Sequence, residues 1–194
     1  VWNGGPWATP LGDVPIDAEA VDCLVASGAG FCPDTKAHLQ EHSLEVLLPF
    51  LQVMNPKVRI TPVTISGLPF AALQKAGEAL AGVVGDAAVC GENILTIVSS
   101  DMSHYLPHEE AVEKDSLALS AAETLDPERL FGVVRENAIS MCGIFPMTIA
   151  LFASNRLGAR AMDVVARATS GQTGRAFGAG MDKVVGYAGA VITR

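Results

Sequence analysis

The sequence has no cluster of lysines and arginines: 13 basic residues are scattered among 21 acidic ones, for a formal net charge of −8. Such a balance lacks the basic footprint of a protein that grips nucleic-acid phosphates, so no nucleic-acid partner is expected. Cysteine is sparse. The four cysteines (Cys23, Cys32, Cys90, Cys142) include no C-x-x-C pair, which argues against a structural zinc motif and against a disulfide framework in a chain of this size. No basic segment leads into an apolar core at the start, so no signal peptide is expected. The longest apolar run, 144–153, is too short for a membrane span and contains Pro146. These absences predict a cytoplasmic protein without a membrane partner. An initiator methionine is missing as well. The chain opens at Val1 on a loop-like stretch with two tryptophans, which suggests a fragment or a processed product.

What is present suits a packed α/β domain. The 194 residues are 49% hydrophobic and 18% charged, with 19 glycines and 11 prolines, enough for one core spanning 1–194. The stretch 94–105 (ILTIVSSDMSHY) stands out. Its first half is apolar and β-branched and predicts a strand buried on both faces. Its second half turns polar and places Asp101, Ser103 and His104 within four residues. In open α/β sheets ligands bind beyond the carboxyl ends of strands, so Asp101 and His104 are candidate site residues. The competing reading is that Asp101 caps a helix and His104 lies on its surface.

Other elements follow from local signals. Asp17 can cap a helix over 18–26. Residues 41–51 (EHSLEVLLPFL) carry Leu44, Leu47, Leu48 and Leu51 at helical spacing, with Pro49 expected to kink or end that helix. His42, between Glu41 and Glu45, is a candidate ligand, a group that supports a ligand, or a solvated helix end. Residues 57–65 alternate as a strand, 69–84 read as a helix closed by Gly85, and 109–125 as an amphipathic helix. Asp126-Pro127 starts a helix to 137, with Asp at the N-cap and Pro at the first position. Cys142 enters another helix, where the positive end of the dipole favours thiolate, the form that binds metal; the competing reading is a small buried hydrophobe. Strands are expected over 161–168 and 183–192. The Gly-rich link 170–180 between them lacks the Lys-Ser/Thr of a phosphate loop and predicts a hairpin-like connection.

Three segments together, Glu41-His-Ser-Leu-Glu45 with Leu48-Pro-Phe50, Ser99-Ser-Asp-Met-Ser-His104, and Met141-Cys-Gly143 with Pro146, resemble the Memo-like family in order and spacing. Thr9-Pro-Leu-Gly12 and Val184-Val-Gly-Tyr-Ala-Gly189 add to the likeness, which covers nearly the whole chain. The resemblance implies a three-layer α/β/α sandwich with a central mixed sheet, related to the class III extradiol dioxygenases. It also implies a cleft that holds iron (Fe2+) or copper. Cys142 would take the place of a metal-ligating carboxylate, and His104 would match the acid/base histidine of those enzymes. Asp101 and His42 would line the cleft, with His42 and His104 as further metal ligands. Partners implied are a small molecule or a peptide, and in microbial members a radical-SAM protein. The family's Pro-His-Ala-Gly-Tyr and Gly-Pro-Ser-His segments are absent, so an N-terminally truncated domain that binds metal weakly is expected.

Two further functions compete with a metal-dependent oxidoreductase. One is a peptide-binding module that uses the same cleft without turnover. The other is a hydrolase with Cys142 as nucleophile, His104 as base and Asp101 as orienter; an Asp and a His three residues apart in one turn suit that relay poorly.

Overall fold

The computed structural model describes all 194 residues. They divide into two compact units, Val1–Ile94 and Leu95–Arg194. The α/β class expected from the sequence is the class observed, with helices joined to two small antiparallel sheets.

In the first unit, strand β1 (Trp7–Thr9) pairs antiparallel with β2 (Gly12–Val14), with Trp7 opposite Val14. Pro10 and Leu11 make the turn, and Gly12 follows at a φ of 109°, a conformation open to glycine. Helix α1 (Ala18–Ala26) starts where expected, because Asp17 Oδ1 accepts the Ala20 N–H at 3.1 Å. Helix α3 (Phe70–Val89) packs on α1 and buries Leu73, Ala76 and Ala81.

The helix expected over 41–51 is displaced. A 3-10 turn at Glu45–Leu47 precedes helix α2 (Leu48–Met54). Pro49 therefore opens a helix instead of breaking one, since its missing N–H costs nothing in a first turn. Gln52 on α2 donates to the Gly12 carbonyl at 3.1 Å and ties the helix to the hairpin. Gly85 does not end α3 either. The helix runs on to Val89, and Gly91, at a φ of 84°, is the left-handed residue that follows it.

Two expected strands do not form. Within 57–65 only Ile60 forms a β-bridge, in parallel with Ile16, and 93–99 joins no ladder. In 57–65 the backbone pairing stays at isolated points, Ile60 N–H to Pro15 O at 3.0 Å, Asp17 N–H to Ile60 O at 2.9 Å and Trp2 N–H to Pro62 O at 3.0 Å, and does not extend into a ladder. Leu95 is 79% exposed, so the run is not the twice-buried strand its composition predicts.

The second unit is built on a long hairpin. Strand β4 (Ala161–Thr169) pairs with β5 (Val184–Thr193) from Ala161 opposite Thr193 to Thr169 opposite Gly186. The connection is hairpin-like as expected, with a single turn, α7 (Ser170–Thr173), and a 3-10 turn at Arg175–Phe177. Strand β3 (His104–Leu106) adds to the other side of β5. Helices α4 (His108–Ala122), α5 (Pro127–Glu136) and α6 (Ile144–Arg156) enclose a core that includes Met102, Leu119, Leu130, Ile144, Leu151 and Met162. The Asp126-Pro127 start of α5 is as the sequence predicts: Asp126 Oδ1 accepts the N–H groups of Glu128 and Arg129. No helix is long and apolar enough to cross a membrane.

Candidate functional site

The second unit brings three of the four candidate residues together. The segment 100–104 is pinned from below by backbone and by one buried carboxylate. Met102 N–H donates to Gly186 O at 2.9 Å, Gly186 N–H to Ser103 O at 2.8 Å, and Ser103 N–H to Asp115 Oδ1 at 2.9 Å. Asp115 is only 7% exposed, so that hydrogen bond forms in a medium where a lone carboxylate would be costly. Gly186 leaves the room it needs: a Cβ there would overlap the Asp115 carboxylate.

His104 is held on two sides by Ser140. Its backbone N–H donates to Ser140 Oγ at 2.8 Å, and its ring Nδ1 lies 2.7 Å from the Ser140 carbonyl oxygen. A carbonyl can only accept, so Nδ1 carries a proton and Nε2 is the ring atom free to give or take one. Nε2 lies 3.6 Å from Asp101 Oδ2. With a neutral ring, two lone-pair-bearing atoms face each other. A proton on Nε2, or a cation between the two, turns that contact from repulsive to attractive. The next residue, Tyr105, sits at a φ of 57° and forms the irregularity between His104 and Leu106 in the pairing with β5. Such an extra residue re-aims the side chains beside it.

Cys142 completes the cluster. Its sulfur accepts the Asp101 N–H at 3.1 Å and lies 3.7 Å from Ser100 Oγ. Ser100 Oγ in turn accepts the Gly143 N–H at 2.8 Å. Gly143 caps α6, so the thiol stands one residue before a helix N-terminus with an N–H aimed at it. Both features place positive partial charge at the sulfur. The competing reading of Cys142 as a small buried hydrophobe does not hold, because Cys142 is exposed.

His42, the fourth candidate, is exposed in the first unit, before the 3-10 turn that opens at Glu45. The cluster's donors, a thiol and an imidazole, suit iron or copper in kind. They fall short in number: no three His, Cys, Asp or Glu side chains gather in a group that could hold a metal ion.

Four contributors to the cluster were given no role from the sequence: Ser100 and Gly186, which lie within the quoted family segments, and Asp115 and Ser140, which lie outside them. Their bonds join residues 12 to 84 positions apart, so no local pattern marks them. The one available hint was the serine pair Ser99-Ser100 just before Asp101.

Residues 1–191 match the model of the Memo-like protein family. A MEMO1 family protein of Sulfurisphaera tokodaii is 36% identical over 188 residues, which are 96% of this chain and 64% of the relative. Relatives described in the same words from Methanopyrus kandleri and Aquifex aeolicus are 35% and 36% identical over 98% of the chain. The chain covers 65% and 68% of those two proteins. On these matches the chain belongs to the Memo-like protein family.

Proposed function

We propose that the chain handles a metal and a proton at one site. Cys142 and His104 are donors to iron or copper, and Asp101 is the proton partner of His104. One hydrogen bond supports this reading above all. The Asp101 N–H reaches the Cys142 sulfur at 3.1 Å, and the same residue's carboxylate lies 3.6 Å from His104. Thiol, imidazole and carboxylate are thus linked through a single residue. The chain's own part in the chemistry follows from that geometry. Ser140 keeps Nδ1 occupied, so a proton enters or leaves His104 at Nε2, opposite Asp101. The Asp101 N–H holds the sulfur in place. A dioxygenase-like oxidation of a small molecule is the activity such a site would serve, and a radical-SAM protein is the partner that belongs with it.

The missing third donor favours a second reading, a cleft that binds a peptide or small molecule without turnover. Cobalt(II) separates the two, because thiolate coordination to it gives an intense near-ultraviolet absorption. The metal reading predicts one equivalent bound with that band in a Cys23→Ser, Cys32→Ser, Cys90→Ser variant. Cys142→Ala should abolish the band, and His104→Ala should weaken binding at least tenfold. A band that survives Cys142→Ala contradicts the assignment, and no binding at all leaves the ligand cleft as the better account.

A further inference from the structure

The first unit contains a cavity of about 300 Å3 lined by aromatic and acidic side chains, with the Val1 ammonium near enough to His38 to oppose its protonation. Its walls include Trp2, Trp7, His38, Glu41 and Glu45, with small apolar side chains between them and no lysine or arginine. The three rings meet nearly at right angles. Trp2 and Trp7 have centroids 5.8 Å apart at 87°, and His38 lies 5.8 Å from Trp2 and 5.9 Å from Trp7, at 75° and 73°. Rings this close share positions within the roughly 6 Å over which a ring attracts a cation.

The acidic side of the cavity is only half satisfied. Glu41 Oε1 accepts the Ser43 N–H, while Oε2 is buried with no partner, and so is Nδ1 of His38. His38 is 6% exposed, and its other ring nitrogen lies 3.5 Å from Thr64 Oγ1. Burial pushes the imidazole below its ordinary range, so the ring adds no positive charge at neutral pH. The aromatic wall is set in advance. Trp2 Nε1 donates to Gly5 O at 2.8 Å, and the indole folds so closely over Gly4 that a Cβ there would lie 2.6 Å from it.

We propose that this cavity binds an organic cation, an alkylammonium group whose methyl or methylene carbons lie against the indoles while its charge offsets Glu41 and Glu45. An anion would meet two carboxylates. A bare metal ion is a poor match as well, since rings hold much of the wall and cannot replace the oxygen or nitrogen ligands that such an ion needs. An ammonium with carbon substituents satisfies both walls at once.

The protein carries its own reporter. Trp2 and Trp7 are its two tryptophans, so all indole emission arises at this cavity. Choline should change that emission saturably at constant ionic strength. Its neutral isostere 3,3-dimethyl-1-butanol should bind at least about tenfold more weakly, and sodium chloride should have no saturable effect. Glu45→Gln, at an exposed position that leaves the rings in place, should weaken choline roughly threefold or more; Trp7→Leu should do so more strongly. Equal binding of choline and the alcohol, no saturable response, or an unchanged affinity in Glu45→Gln would each overturn the proposal.

Discussion

Gly143 shows how little freedom the residues around Cys142 have. A Cβ there would overlap Ser100 Cβ and Oγ and would lie 3.1 Å from the Ser99 carbonyl. Gly143→Ala must therefore push Ser100 away and weaken the N–H bond to its hydroxyl. Overpacking of this kind costs about 1–3 kcal/mol. A lower denaturant midpoint, with faster reaction of Cys142 toward a thiol reagent, is the expected outcome. At His38 the expectation concerns pH. Burial lowers its folded value below the ordinary 6.5, so below about that pH the unfolded chain binds a proton that the native ring refuses. Its contribution to stability is complete above 6.5 and declines as the pH falls toward the depressed native value. Thermal melts between pH 7.5 and 5.5 should show this decline, and His38→Gln should flatten it. The Val1 ammonium adds to the lowering, while Glu41 and Asp34, which favour protonation, limit it.

At the scale of elements, legibility followed locality. The Asp17 cap of α1, the Asp126-Pro127 start of α5 and the β4–β5 hairpin were all readable because their signals lie within a few residues. Pro49 was misread because proline marks a helix start as well as a break, and only the preceding 3-10 turn decides which. The run 94–99 was misread because composition reports a taste for burial and pairing, not the presence of a neighbour. At the site, Asp101 and His104 were singled out by residue type and order and Cys142 by the family resemblance, and the three lie together in the second unit. Asp115 was not singled out, since it looks like any acid on an amphipathic helix. It nonetheless accepts the Ser103 N–H inside the unit. Asp115→Ala leaves that N–H unpaired and should cost about 1–3 kcal/mol in chemical denaturation. Asp115→Asn keeps an acceptor and should lose less.

For the whole molecule, a net charge of −8 and an acidic, ring-lined cavity favour positively charged ligands. The chain also covers only 64% to 68% of the three relatives compared, so the activity of a whole Memo-like protein is a larger question than this chain's chemistry. Within the chain, the central claim is that Cys142 and His104 hold a metal at one site, with Asp101 as the proton partner of His104. Site-resolved alkylation tests it directly. The chelated protein is labelled with iodoacetamide, with and without one equivalent of ferrous iron under anaerobic conditions, and each cysteine is read by mass spectrometry. All four thiols are exposed, so all are open to the reagent. The account predicts that iron protects Cys142 and leaves Cys23, Cys32 and Cys90 unchanged, and that His104→Ala removes much of the protection. Labelling of Cys142 that iron does not alter, or protection spread evenly over the four, would contradict it.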